Sequence, residues 1–117
     1  MEQSLVYNKA YPFSIRIIRA FEYLRRDKRE FILSKQLLRC GTSIGANIAE
    51  ANGAISKNDF SAKMSIAYKE CLETKYWLSL LKDTDYIDEP TFVSIHSDAD
   101  EICKMLFAIL KTTRINQ

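Results

Sequence analysis

Two glycines one helical turn apart, Gly41 and Gly45, constrain the fold of this chain more than any other feature. They lie within residues 36–50, where apolar and small residues recur every three or four positions, as along one face of a helix. Glycine inside a helix costs about 1 kcal/mol relative to alanine. The pair therefore predicts that another backbone passes so close that a side chain would clash. The predicted face consists of Leu37, Leu38, Gly41, Ile44, Gly45, Ile48 and Ala49.

The first two predicted helices occupy the first half of the chain. One runs over about 12–26, because Pro12 suits the first turn of a helix. We expect it to be shorter than the other helices. The second runs over about 30–51 and is stopped by Asn52-Gly53, since both residues tolerate left-handed backbone angles. The apolar stripe of the first helix consists of Phe13, Ile17, Ile18, Phe21 and Leu24.

Two longer helices are predicted in the second half. One runs over about 56–82, where Ser56 and Asp59 resemble a capping box. The other begins after Asp88, a residue suited to the N-cap, and runs to about residue 113. Their apolar stripes, which we expect to face the core, are Phe60, Met64, Ala67, Tyr68, Cys71, Leu72, Thr74, Leu78 and Leu81 in the former, and Phe92, Ile95, Ala99, Ile102, Leu106, Ile109 and Leu110 in the latter.

Four helices joined by short connections favour an all-α fold, an antiparallel up-and-down four-helix bundle. The length of 117 residues predicts a single domain over residues 1–117. Every apolar run is short and interrupted by charge, so we expect no membrane span. The first residues lack the basic and apolar regions of a secretory signal, and the expected location is therefore cytoplasmic.

The cysteines and the histidine do not form the pattern of a metal site, a disulfide or a catalytic site. Cys40, Cys71 and Cys103 are an odd number without a CxxC pair, so we expect buried, free thiols rather than zinc ligands or disulfides. His96 is the only histidine, which excludes the two Glu-x-x-His motifs of a di-iron bundle. No Ser-His-Asp geometry or phosphate-binding loop is specified. We expect a protein that is not an enzyme, with no catalytic residue, no metal site and no cofactor.

Charge is distributed unevenly along the chain, although the net charge is only +2. Residues 1–39 carry nine basic and four acidic side chains, whereas residues 83–101 carry seven acidic side chains and no Lys or Arg. A first half that faces nucleic acid is one interpretation. The other is that complementary or merely solvated surfaces explain the asymmetry, and both remain open. The nucleic-acid-binding candidates are Arg16, Arg19, Arg25, Arg26, Lys28, Arg29 and Arg39.

Several polar and aromatic residues are candidates for structural or interface roles. Asn47 lies beside an apolar stripe, and we expect it to form a hydrogen bond to another helix. Glu70 and Glu73 either form ordinary surface ion pairs or hold Arg39 or a partner subunit. Adjacent aromatic residues on a helix cannot both face the core, so one of a neighbouring pair lies at the rim. The candidates are Gly41, Gly45, Asn47, Glu50, Tyr68, Glu70, Glu73, Tyr76 and Trp77.

Two motifs resemble a known bacterial family. They are Ser-Ile-Gly-Ala-Asn-Ile-Ala-Glu, which ends at Glu50, and Glu-x-x-Glu-Thr-x-Tyr-Trp-Leu, which begins at Glu70. The chain resembles, over about residues 7–114, the four-helix bundle proteins encoded by intervening sequences in 23S rRNA genes, historically labelled S23 ribosomal proteins. The accessory variability proteins of diversity-generating retroelements look like relatives.

This resemblance implies a cytoplasmic bundle that assembles into a ring, typically a homopentamer, without enzymatic activity. It also implies binding of RNA or DNA, which we expect to use the phosphate backbone and the basic first half. The alternative function is a protein-interaction scaffold or an accessory subunit of a nucleic-acid enzyme, such as a retroelement reverse transcriptase. In that case Tyr68, Tyr76, Trp77 and the acidic segment 83–101 would contact protein.

Overall fold

The computed structural model describes the backbone of residues 2–115 and the side chains of residues 5–113, and over this range the chain forms four helices. They are α1 (Glu2–Arg26), α2 (Leu33–Asn52), α3 (Lys57–Asp83) and α4 (Glu89–Ile115). No strand occurs in the described range. The prediction of an all-α fold is confirmed.

Helix α1 begins ten residues earlier than predicted, and Pro12 lies inside it rather than in its first turn. Val6 and Ala10, which precede the proline, are fully buried. Their packing holds the N-terminal turns in place against the cost of an interior proline, about 3 kcal/mol. The shortest helix is therefore α2, with 20 residues against 25 in α1.

Helix α2 begins three residues later than predicted, because Glu30 caps the helix instead of forming part of it. Its carboxylate accepts hydrogen bonds from the backbone N–H groups of Ile32, Leu33 and Ser34, at 3.2, 3.0 and 2.6 Å. The Ser34 hydroxyl donates in return to the Glu30 carbonyl at 2.8 Å. The carboxylate thus satisfies N–H groups that a helix start leaves without partners. Burial of Glu30, which is 8% exposed, is a consequence of this role.

The other helix ends are close to those predicted. The Ser56 hydroxyl accepts from the Asp59 N–H at 3.0 Å, and Asp88 accepts from the Thr91 N–H at 2.9 Å. Both N-caps are confirmed. Helix α2 ends at Asn52, one residue later than predicted, and Gly53 has a φ of −103°, so the end does not use the left-handed conformation that the Asn-Gly pair suggested.

The helices form an antiparallel up-and-down bundle in which each packs against two neighbours. Helix α2 packs between α1 and α3, and α4 packs between α3 and α1. The diagonal pairs make no close backbone approach among the described residues. Cross-helix contacts run in opposite directions along each pair, as Lys9 with Glu101 and Arg16 with Asp98 show for α1 and α4.

The glycine pair lies where α2 crosses α1. A Cβ atom added to Gly41 would lie 2.8 Å from two carbons of Ile17, and one added to Gly45 would lie 3.1 Å from the Ser14 hydroxyl. The predicted close packing is therefore present. At Gly41, however, the close neighbour is a buried branched side chain rather than backbone; near Gly45 the Ala10 carbonyl is 3.7 Å away.

The core is continuous along the bundle and contains most of the predicted apolar residues. The three cysteines are buried and free, as predicted. The Cys71 thiol donates to the Ala99 carbonyl at 3.1 Å, and the Thr74 hydroxyl donates to the Cys40 sulfur at 3.3 Å. Burial raises the pKa of the Cys71 thiol and raises that of Cys40 to about 11.

Three residues predicted to face the core lie at the surface instead: Ile18, Ala49 and Leu72. Each lies at the edge of its helical stripe, where sequence spacing does not distinguish the last buried position from the first exposed one. None of the helices, over the residues described, is long and apolar enough to cross a membrane.

Candidate functional site

Three of the seven candidate basic residues are paired with carboxylates. Arg16 contacts Asp98 at 2.7 Å and donates to the Ser94 hydroxyl at 3.0 Å, which joins α1 to α4. Arg19 lies 3.4 Å from Glu22 on its own helix. Arg39 is the third and is held by two carboxylates of α3. A guanidinium group that is paired with a carboxylate attracts a phosphate less strongly than an unpaired one does.

Arg39 links α2 to α3 through both glutamates that the sequence singled out. Its guanidinium lies 2.9 Å from a Glu70 oxygen and 2.6 Å from a Glu73 oxygen. The same Glu73 oxygen accepts from the Trp77 indole N–H at 2.9 Å. The hydrogen bonds from Trp77 and Arg39 hold the pKa of Glu73 below its usual value. Of the two interpretations left open for these glutamates, the cross-helix pair with Arg39 is the one observed.

The other four candidate basic residues, Arg25, Arg26, Lys28 and Arg29, form an exposed group that we call the basic cluster. They occupy the end of α1 and the loop that follows it. None of them lies within ion-pair distance of a carboxylate in the described part of the chain, in contrast to Arg16, Arg19 and Arg39. The structure therefore divides the seven candidates into a paired set and an unpaired set.

Two phenylalanines lie among the unpaired arginines. The Arg25 guanidinium carbon is 5.3 Å from the centre of the Phe21 ring and 6.0 Å from that of Phe31. Arg29 lies over the same Phe31 ring at 5.5 Å. All three distances are typical of cation–π contacts. These side chains line a surface hollow of about 310 Å³, which we call the Phe31 hollow; its lining residues are Phe21, Glu22, Arg25, Arg26, Arg29 and Phe31.

The loop that carries the cluster has a defined conformation. The Asp27 N–H donates to the Tyr23 carbonyl at 2.8 Å, and the Glu30 N–H donates to the Leu24 carbonyl at 2.9 Å. Arg29, between them, has a φ of 55°. This left-handed conformation is uncommon for residues other than glycine. The loop is therefore held at both sides of Arg29 by backbone hydrogen bonds.

An acidic turn lies at the same end of the bundle, because α3 ends and α4 begins there. It carries Asp83, Asp85, Asp88 and Glu89. Lys82 lies 3.7 and 3.6 Å from Asp83 and Glu89 and offsets part of this charge. Two loops of opposite charge thus share one end of the molecule, a juxtaposition that the linear distribution of charge does not reveal.

The remaining structural candidates form contacts within the bundle. Asn47 donates to the Ser43 carbonyl at 2.8 Å, so its expected hydrogen bond to another helix is wrong. The donor reaches back one turn on its own helix, a local partner that requires no second helix. Glu50 pairs with Lys63 of α3 at 2.9 Å.

The aromatic candidates lie on α3. Tyr68 packs against Phe107 of α4, with ring centres 6.0 Å apart. The edge of the Tyr76 ring meets Trp77, with centres 5.2 Å apart. Tyr76 is 60% exposed whereas Trp77 is half-buried, which is the division expected for neighbours on a helix.

His96 has a structural environment. It is half-buried, with its ring 4.8 Å from that of Phe92, and burial lowers its pKa. No group of three His, Cys, Asp or Glu side chains is placed to hold a metal ion within the described residues.

The outer face of α1 is more apolar than the sequence suggested. Tyr11, Ile15 and Ile18 are 58%, 43% and 39% exposed and follow one another at spacings of four and three, so they share a stripe that faces away from the core. We call this stripe the α1 outer face. The sequence could have indicated this face, because α1 carries a second apolar stripe besides the one that faces the core.

Sequence reasoning also missed Phe31. The segment from Phe21 to Phe31 combines three aromatic residues with four basic ones, a composition that is typical of nucleic-acid surfaces. The structure brings Phe31 back onto Arg25, six positions earlier in the chain, because the loop reverses direction between α1 and α2.

Comparison with known proteins places these features in a family. A family model described as 23S rRNA-intervening sequence protein matches residues 2–108. A crystal structure of a protein of unknown function from the S23 ribosomal protein family of Bacteroides thetaiotaomicron VPI-5482 is 47% identical. The match covers 95% of this chain and 99% of that one, with a TM-score of 0.93. No curated protein matches the chain.

Proposed function

Because the chain belongs to the 23S rRNA-intervening sequence protein family, we propose that it is a non-enzymatic, self-assembling bundle that binds the backbone of RNA or DNA. The basic cluster is the proposed contact surface. The observation that carries this proposal is that four cationic side chains, at the end of α1 and in the loop after it, lie within ion-pair distance of no carboxylate among the side chains described, while three others on α1 and α2 are paired. Besides the hydrogen bonds from Thr91, the nearby charge of Lys28 lowers the pKa of the Asp88 carboxyl, so the three arginines are the least compensated members of the cluster.

Binding would result from electrostatic contact with phosphates. An Arg or Lys that neutralises a phosphate releases condensed counterions, which favours association at low salt. Phosphate contacts position a protein on a nucleic acid without distinguishing one nucleotide sequence from another. Net charge of +2 limits the long-range attraction, so the contacts must be local to the basic cluster. We therefore expect weak dependence on sequence and strong dependence on salt.

Two variants of equal charge change test this assignment. The first replaces Arg25, Arg26 and Arg29 with Gln, and the second replaces Arg16, Arg19 and Arg39 with Gln. We expect the first to abolish measurable binding of a labelled mixed-sequence nucleic acid at 50 mM salt. The second should keep most of the affinity, because its side chains are already engaged with carboxylates. Circular dichroism establishes that both variants remain helical.

Equal losses in the two variants would contradict the proposal, since a general charge effect does not depend on which arginines are removed. So would undiminished binding after removal of the cluster.

The α1 outer face is the proposed surface for self-assembly. Tyr11, Ile15 and Ile18 expose a contiguous apolar stripe, and such patches mark interaction sites on folded proteins. The family resemblance adds the expectation of a ring, typically a homopentamer. Light scattering of the wild type should therefore give the mass of several chains. Ile18→Glu should reduce that mass, whereas Val93→Glu, on α4 and 56% exposed, should leave it unchanged.

The same stripe also favours a second function, a scaffold or accessory subunit of a nucleic-acid enzyme. On that proposal the partner on the α1 outer face is a different protein. A single-chain mass for the wild type, together with binding of nucleic acid that does not require the basic cluster, would favour the scaffold over the self-assembled binder.

A further inference from the structure

We propose that the Phe31 hollow binds an unpaired nucleotide, with its base stacked on the Phe31 ring and its flanking phosphates held by Arg25, Arg26 and Arg29. This inference rests on the proposed function and adds to it: the preferred ligand is single-stranded nucleic acid rather than duplex.

Phe31 is available for stacking because it does not belong to the core. It is 42% exposed and lies in the loop beside Ile32, which is 74% exposed. Its ring contacts the guanidinium groups of Arg25 and Arg29, at 6.0 and 5.5 Å. Bases stack on exposed aromatic rings and on guanidinium planes in single-strand binders, and both kinds of surface are present here.

Charge in the hollow complements a nucleotide. Residues 25–29 carry four basic side chains and one acidic side chain. Arg25, Arg26 and Arg29 all line the hollow, and Glu22, its one acidic lining residue, pairs with Arg19. Phosphates on either side of a stacked base would therefore meet guanidinium groups that form no ion pair with any carboxylate in residues 5–113.

The backbone at Arg29 supports the same assignment. A left-handed residue that carries a side chain costs about 1 kcal/mol, and glycine would avoid this cost. Arg29 nevertheless has a φ of 55°, one of two positive values at described residues other than glycine, the other being Asp85, and its guanidinium group lies over Phe31. Strained backbone of this kind is concentrated at ligand sites.

Stacking distinguishes single strands from duplexes. Base faces inside a duplex are covered by neighbouring base pairs, so an aromatic ring in a surface hollow reaches only an unpaired base. Phosphate contacts are available in both forms. The proposal therefore predicts that Phe31 contributes to single-strand binding alone, whereas the arginines contribute to both.

The test compares a labelled 12-nucleotide single strand, as RNA and as DNA, with the same strands annealed to their complements. The variant Phe31→Leu keeps an apolar side chain but removes the ring. Phe107→Leu is the matched control, because Phe107 is a phenylalanine on α4, outside the hollow, and is 54% exposed against 42% for Phe31. Anisotropy titrations at several salt concentrations give the affinity and its salt slope for each protein.

We expect Phe31→Leu to weaken single-strand binding about tenfold, as loss of one stacked base does. Duplex binding should change less than twofold, and Phe107→Leu should change neither. Phe31→Leu should keep the salt slope, while the Arg25, Arg26 and Arg29 to Gln variant should reduce it by about 2 on single strands.

Equal effects of Phe31→Leu on single strands and duplexes would overturn the stacking assignment while leaving the proposed function intact. So would an effect no larger than that of Phe107→Leu. Absence of salt-dependent binding to any of the four nucleic acids would overturn the proposed function and this inference together.

Discussion

Substitution of Gly41 by alanine tests the packing that the glycine pair predicts. The added Cβ atom would lie 2.8 Å from Cγ1 and Cγ2 of Ile17 and 2.9 Å from its Cδ1. Ile17 is fully buried, and its branched side chain cannot turn away without moving a methyl group into other core atoms. Overpacking of this kind costs about 1–3 kcal/mol, which exceeds the gain of about 1 kcal/mol from replacing a helical glycine.

Gly45→Ala is the matched control, one turn further along the same helix. Its Cβ atom would meet the Ser14 hydroxyl at 3.1 Å, which requires a shift of only a few tenths of an ångström. The helical gain is the same in both variants. We therefore expect Gly45→Ala to be neutral or slightly stabilising and Gly41→Ala to lower the free energy of unfolding by about 1 kcal/mol.

Thermal unfolding at one fixed protein concentration measures the difference. A loss of about 1 kcal/mol lowers the Tm of a domain of this size by about 4 °C. A double-mutant cycle with Ile17→Ala isolates the contact, because that change removes all three clashing atoms. The double variant should be more stable than the sum of the two single effects, by about 1 kcal/mol. Equal stability of the two alanine variants, or zero coupling with Ile17, would refute the packing argument.

Two further predictions concern titratable groups. Trp77→Phe removes one of the hydrogen bonds that lower the pKa of Glu73, so that pKa should rise toward its usual value in an NMR titration. A carboxyl pKa that is lower in the folded state than in the unfolded state stabilises the protein above the unfolded pKa, and this contribution is lost as the pH falls through the folded pKa. The stability of the wild type should therefore fall more steeply with decreasing pH in this acid range than that of Trp77→Phe. Parallel profiles of stability against pH would contradict the assignment. Burial raises the pKa of Cys71 and Cys103, so both thiols should react with a thiol reagent at pH 8 only after unfolding, and rapid reaction of the folded protein would contradict their burial.

Features determined by neighbouring residues were predictable from the sequence. The caps at Ser56 and Asp88 use hydrogen bonds that span three residues, and the apolar stripes depend only on helical spacing. The bundle follows because consecutive amphipathic helices with short connections pack as neighbours. The buried cysteines follow from the same periodicity.

Features determined by packing were not predictable from local patterns. Pro12 is tolerated inside α1 because residues before it pack into the core, which no local rule describes. Glu30 looked like a first helical residue, and only the fold of its side chain onto three backbone N–H groups makes it a cap. Asn47 donates to the Ser43 carbonyl of its own helix rather than to a neighbouring helix.

The sequence could predict that the candidate site is basic, but not which of the basic residues remain unpaired. The sequence identified seven basic residues, and it could not say that Arg39 contacts a glutamate 31 positions away while Arg25 pairs with no glutamate whose side chain the structure describes. Pairing between distant residues depends on the register of two helices. Phe31 was missed for the same reason, since its ring meets Arg25 only after the loop reverses the chain.

The central claim is that a self-assembled bundle binds nucleic-acid backbone through the basic cluster, and a salt titration of the wild type tests it most directly. Affinity for a mixed pool of structured RNA and duplex DNA is measured between 50 and about 300 mM salt, with the mass of the free protein determined in the same samples. We predict the mass of several chains and a linear fall of log affinity with log salt, with a slope of about −3 or steeper for a cluster of four cations. A single-chain mass together with binding that is absent or independent of salt would contradict the account.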